Sequence, residues 1–162
     1  MNRDVTTNRM QTKNYHNIEN TPDRKVLILI VEDDKYMNET LREVLEDEGY
    51  NVESSLTVLE AVNKVKHSEK KFQLLILDYN LQFLSGVTGL DIFQIGREIN
   101  PNVEGIMISA YGDKKIKEKA REKGIETFLD KPFKINELTD AVNAINEKIT
   151  HNGNSNNFFY LN

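Results

Sequence analysis

Carboxylates, a hydroxyl and an ammonium stand at the ends of short apolar runs in this chain of 162 residues. Glu32, Asp33 and Asp34 follow the run Lys25 to Val31. Asp78 follows Phe72 to Leu77, Ser109 closes Val103 to Ser109, and Lys131-Pro132 comes just beyond Ile125 to Leu129. Carboxylates brought together repel, and at least one has its pKa raised unless a cation intervenes. A hard divalent cation with oxygen ligands removes that conflict, and Mg²⁺ suits one or two carboxylates, waters and phosphate oxygens. With a lysine, a hydroxyl and a free carboxylate added, the set suits phosphoryl transfer, where catalysis is mainly positioning and charge neutralisation. Asp78 is the natural nucleophile, since an aspartate can form an acyl phosphate.

Each group also has a plainer reading. Acids favour the N-terminal end of a helix dipole, and Asp34, next to a helical pattern, is read that way. An aspartate after a strand is commonly a turn residue. Ser109 alone carries no signal, and Lys131-Pro132 alone is a loop. Their order and their shared place at strand ends make the combined signal.

The elements that must position these groups alternate. Lys25 to Val31 is a continuous β-branched and leucine run, the mark of a strand buried on both faces. Met37, Leu41, Val44 and Leu45 recur at helical spacing, and Gly49 closes that helix. Val52 to Ser55 reads as a short strand, and Leu59, Val62 and Val65 mark a second helix. Phe72 to Leu77 is a strand. Leu90, Ile92, Phe93, Ile95 and Ile99 mark a third helix, stopped before Pro101. Val103 to Ser109 is a strand. Ile116 and Ala120 give a polar fourth helix that ends at Gly124. Ile125 to Leu129 is the last strand, and Leu138, Ala141, Val142, Ile145 and Ile149 mark a fifth helix. Five βα units in series predict an α/β fold, a doubly wound five-stranded parallel sheet with five helices on its two faces. In such sheets ligands bind beyond the carboxyl ends of the strands, at the switch in strand order.

Length predicts one domain, over residues 24–150, with polar flexible tails at 1–23 and 151–162. An apolar tag, Phe158 to Leu161, sits in the second tail, where it reads either as a frayed end or as a docking segment. No cysteine is present, which excludes disulfides and thiolate metal sites. No apolar run approaches the roughly 20 residues that span a bilayer, and the N-terminus lacks an apolar signal-peptide region. The expected setting is the cytoplasm, without membrane insertion. The net charge of −5 argues against nucleic acid as a direct partner, although a local patch would survive that average.

The residues at these strand ends resemble the receiver domain of two-component response regulators. The matching pieces are Val26 to Asp34, Leu75 to Leu81, Ile108 to Ala110 and Phe128 to Phe133, four ordered motifs within residues 24–150. The resemblance implies a flavodoxin-like (β/α)5 fold and a role for each matched position. Glu32 and Asp33 would be the acidic pair, with Asp33 a direct Mg²⁺ ligand and Glu32 acting more through water. Asp78 would be the phosphoacceptor and a metal ligand, and Asn80 would offer its backbone carbonyl to the metal. Ser109 would hydrogen-bond the phosphoryl group, Lys131 would pair with it, and Phe128 would turn inward on activation. Without the resemblance, Phe128 is a plain edge or core aromatic.

Two departures border the site. Gln82 lies where the family usually has proline, and the loop from Asn80 to Gly89 is about two or three residues long for it. Either Gly86 or Gly89 could be the family's glycine. Family positions that tune hydrolysis fall at Asn80 and Tyr111.

The resemblance further implies a phosphohistidine donor, either a histidine kinase or a histidine phosphotransfer protein. Only self-phosphotransfer and slow autodephosphorylation are expected, not turnover of a separate substrate. After residue 150 twelve residues remain, so the expected output is contact with a downstream protein, onward transfer to a histidine, or a phosphate sink. A haloacid-dehalogenase-type phosphatase also uses an aspartate nucleophile and Mg²⁺, but Asn80 cannot replace its second, general-acid carboxylate. A flavodoxin-type cofactor binder would need a phosphate loop where the acids Glu32 to Asp34 stand. A purely structural binding domain is the remaining alternative.

Overall fold

The computed structural model describes residues 25–81, 86–110 and 114–155; the first tail, the stretch around Gln82, Tyr111 and the tag from Phe158 to Leu161 lie outside them. The expected alternation is present. The strands are β1 (Leu27–Val31), β2 (Asn51–Ser55), β3 (Leu74–Asp78), β4 (Glu104–Ala110) and β5 (Thr127–Lys131). The helices are α1 (Lys35–Asp47), α2 (Val58–His67), α3 (Gly89–Ile99), α4 (Lys114–Glu122) and α5 (Ile135–Ser155).

All neighbouring strands pair in parallel, in the order β2-β1-β3-β4-β5. Chain order therefore reverses between β1 and β3, and the crevice at their carboxyl ends is the switch point of the sheet. Alternation along the strands feeds two cores. Leu29, Val31, Leu75, Leu77 and Met107 meet Ala61 and Val65 of α2, Phe93 of α3 and Ala120 of α4. Ile28, Ile30, Ile76, Ile106 and Ile108 meet Leu41 and Leu45 of α1 and Leu138, Val142 and Ile145 of α5. Burial on both faces explains why β1 and the body of β3 read as unbroken apolar runs.

Three local expectations change. Leu59, expected on the inner face of α2, is 72% exposed. The helix starts at Val58 behind the Thr57 cap, which puts Leu59 in the open first turn, and Ala61 and Val65 form the buried contact. The fifth helix runs to Ser155, past the limit expected at residue 150. The first strand begins at Leu27 rather than Lys25. Among the described residues no helix is long and apolar enough to cross a membrane.

Candidate functional site

Acids stand at the carboxyl ends of β1 and β3. Glu32 follows β1 directly and is 1% exposed; Asp78 is the last residue of β3 and is 5% exposed. Asp33 is half-buried beside them. One carboxylate oxygen from each of Glu32, Asp33 and Asp78 falls within 4.8 Å of the others. Asp34 points away from this cluster, as expected: its side chain accepts from Met37 N at 2.9 Å and caps α1.

Lys131 closes the cluster from the far side of the sheet. It ends β5, which is separated from β3 by β4. Its Nζ donates to Asp78 Oδ2 at 2.6 Å and to Glu32 Oε2 at 2.8 Å. The Lys131–Pro132 peptide is cis. The second oxygen of Asp78, Oδ1, accepts from the Asn80 backbone N–H at 2.9 Å. Both oxygens of the buried carboxylate are thus held by donors, which fixes its orientation.

The charges do not balance. Three carboxylates face one ammonium, and burial pushes the Glu32 carboxyl above its ordinary value. The Asp78 charge adds to that rise, and the Lys131 hydrogen bond only partly offsets it. Burial alone would depress the Lys131 ammonium, but its bonds to Asp78 and Glu32 outweigh burial and raise it. The two directions agree physically: one lysine gains two anionic partners, while Glu32 must share that lysine with Asp78. A hard cation with oxygen ligands would remove the excess negative charge, so the donor set fits Mg²⁺.

Ser109 adds a waiting donor. It lies near the end of β4, opposite Asp130 of β5 in register, and is fully buried. Its Oγ has no hydrogen-bond partner. A buried hydroxyl left unpaired is costly, and a phosphoryl oxygen arriving among these strand ends would satisfy it.

The loop after β3 is held against the site by close packing. A Cβ at Gly89 would lie 2.4 Å from the Asp78 carbonyl oxygen, so only glycine fits there. Gly86 meets nothing nearby but has φ +64°. The two glycines left open by the sequence thus have different reasons: Gly89 for close approach to Asp78, Gly86 for its backbone angle. Thr88 and Asp91 form a capping box that starts α3 immediately beyond.

Phe128 is half-buried against the apolar cluster under α2, α3 and α4. Arg121 and Lys117 of α4 sit over its ring, at 5.0 and 5.9 Å from the centroid. Lys117 also pairs with Asp130 at 2.6 Å. This tie between α4 and β5 was not expected from sequence; it joins residues of two separate elements, and no local pattern marks it. A cleft of about 1070 Å³ lies between Lys25, Asn51, Gln73 and Asn100 at the other end of the strands and contains none of the site groups.

The comparisons agree with this geometry. Residues 28–143 match the response regulator receiver domain family. Sporulation initiation phosphotransferase F of Bacillus subtilis is 32% identical over 115 residues, covering 71% of this chain and 89% of that protein. Chemotaxis protein CheY of Thermotoga maritima is 29% identical over 121 residues, covering 74% of this chain and 97% of that protein. The crystal structure of the receiver domain of NtrX from Brucella abortus superposes with a TM-score of 0.66 at 26% identity, covering 74% of this chain and 98% of that one. With Glu32, Asp33, Asp78 and Lys131 gathered at the switch point of the same sheet, the chain belongs to the receiver domain family of two-component response regulators.

Proposed function

We propose that this receiver accepts a phosphoryl group on Asp78 from a phosphohistidine on a histidine kinase or a histidine phosphotransfer protein. The supporting observation is the convergence on one buried carboxylate. Asp78 is held by Lys131 Nζ and by Asn80 N, it stands beside Glu32 and Asp33, and the neighbouring strand β4 carries the unpartnered Ser109 hydroxyl near its end.

In the proposed step an Asp78 carboxylate oxygen attacks phosphorus. The P–O bond forms as the P–N bond to the donor imidazole breaks, and the bond's electron pair returns to the imidazole nitrogen. Glu32, Asp33, Asp78 and the Asn80 carbonyl would hold Mg²⁺, which when bound neutralises charge on the phosphoryl oxygens. Lys131 shifts its ammonium from the carboxylates toward those oxygens, and the Ser109 hydroxyl donates to one of them. Water later attacks phosphorus, the bond from phosphorus to the Asp78 oxygen breaks, inorganic phosphate leaves and the Asp78 carboxylate is restored, so the group is a reversible mark rather than a turnover catalyst.

The mark adds negative charge and acceptor oxygens. Movement of Ser109 toward it opens space for Phe128 to turn inward, which reshapes the face of α4, β5 and α5. That face would be read by a downstream protein rather than by direct contact with nucleic acid, in the cytoplasm where the kinase domain is met. Incubation with autophosphorylated kinases and phosphotransfer proteins tests the reading. Label should pass to the wild type and not to Asp78→Asn, and label on Asp78→Asn would contradict the assignment.

A further inference from the structure

Asn38 lies on the buried side of α1 with Leu41 and Leu45 and is only 2% exposed. The choice is a costly one. Asparagine is a poor helix former, and a buried amide is unfavourable unless its hydrogen bonds are made. Here both donors are used. Nδ2 donates to Glu32 O and to Ser55 O, each at 2.9 Å. Glu32 N donates to the same Ser55 carbonyl at 3.2 Å.

The location of these bonds is informative. Register pairing of β1 with β2 ends at Val31 and Ser55. Asn38 supplies a side-chain rung one residue further, at the first acid of the site. The Glu32 carbonyl belongs to the peptide unit that joins Glu32 to Asp33, so its direction sets where the Asp33 backbone begins. From the other side, Asp34 N donates to Glu32 Oε1 at 3.2 Å and Asn38 N donates to Asp34 O at 2.9 Å. The acidic segment is therefore gripped at Glu32 and at Asp34, with Asp33 between them.

We propose that Asn38 is a positioning residue for the divalent cation. By tying the Glu32–Asp33 peptide to the end of β2, it holds the Asp33 carboxylate within reach of Asp78. This rests on the functional reading above. Asn38 touches no reacting group itself and acts through Asp33. The competing account is that Asn38 only satisfies two carbonyls, in which case its loss lowers stability and leaves metal affinity intact.

Asn146 provides a matched control. It is also a buried asparagine, 9% exposed, and it accepts from Val26 N at 3.1 Å at the opposite end of β1 from the acids. Amide NMR titrations with Mg²⁺ would compare the wild type, Asn38→Ala and Asn146→Ala. The expected result is Mg²⁺ binding weaker by about 10–100-fold in Asn38→Ala, the usual loss when a group orienting a metal ligand is removed. Affinity in Asn146→Ala stays at the wild-type value, although both variants unfold at lower urea. Equal Mg²⁺ affinity in Asn38→Ala and the wild type overturns the proposal. A wild type that binds no Mg²⁺ overturns the functional reading instead. Should Asn38→Ala fail to fold, the wild type alone decides: the Asn38 side-chain amide signals must shift as Mg²⁺ is added while those of Asn146 do not, and unmoved Asn38 signals overturn the proposal.

Discussion

The Lys131 ammonium lies 2.6 Å from Asp78 Oδ2, although the two residues end strands that are not neighbours in the sheet. The side chain passes the end of β4 to reach the carboxylate, and it meets Glu32 Oε2 at 2.8 Å on the same nitrogen. One cation thus holds together the ends of β1, β3 and β5.

Removing that cation exposes what it compensates. In Lys131→Met, two nearly buried carboxylates lose their shared partner. Losing one side of such a pair costs on the order of 3 kcal/mol, so the variant should unfold at clearly lower urea than the wild type near neutral pH. The deficit should shrink in acid, where the carboxylates protonate. Urea titrations of both proteins without divalent metal check this, and equal midpoints near neutral pH would show that the bridge does not stabilise the fold.

Glu32 gives a pH dependence of definite sign. Its folded pKa is raised above its ordinary value, by burial first and then by the Asp78 charge, against the pull of Lys131. A raised acid favours the folded state below its unfolded pKa, and that contribution is lost as pH rises through the folded value. Glu32→Gln has no such titration and keeps an oxygen that accepts from Lys131. The stability of Glu32→Gln relative to the wild type should therefore grow as pH rises from about 4 toward 8. Chemical denaturation in a metal chelator across that range measures it; a difference that is flat with pH, or that falls, contradicts the assigned environment of Glu32.

Gly89 and Gly86 separate two glycine requirements in one loop. A Cβ at Gly89 would sit 2.4 Å from the Asp78 carbonyl oxygen. Gly89→Ala should cost roughly 1–3 kcal/mol by overpacking and should disturb the backbone of Asp78 directly. Gly86→Ala meets open space and strains only the backbone at φ +64°, for a loss of about 1–2 kcal/mol. Denaturation together with the phosphorylation rate distinguishes them: Gly89→Ala should slow phosphorylation more than Gly86→Ala, and the reverse order would contradict the packing.

Much of this was legible in sequence for a physical reason. The strands β1 and β3 are buried on both faces, so they read as apolar runs, and the acids at their ends stand out. What periodicity could not give was contact between elements. Leu59 has helical spacing from Val62, yet it lies in the open first turn of α2, and small Ala61 does the packing. The reach of Lys131 across β4 depends on strand order, which no single motif encodes. Asn38 shares a stripe with Leu41 and Leu45, but its two carbonyl partners lie on β2 and beyond β1, so no local pattern marks it. The last turns of α5, through Ser155, have no apolar period to announce them.

Phosphoryl transfer to Asp78 is read by intact mass after incubation of the protein with acetyl phosphate and Mg²⁺. The expected result is one adduct of about 80 Da, the mass of a single phosphoryl group. The adduct should be labile as an acyl phosphate is, dependent on Mg²⁺, mapped to the peptide that contains Asp78, and absent from Asp78→Asn. The same adduct on Asp78→Asn, or no adduct on the folded wild type with Mg²⁺ bound, would contradict it.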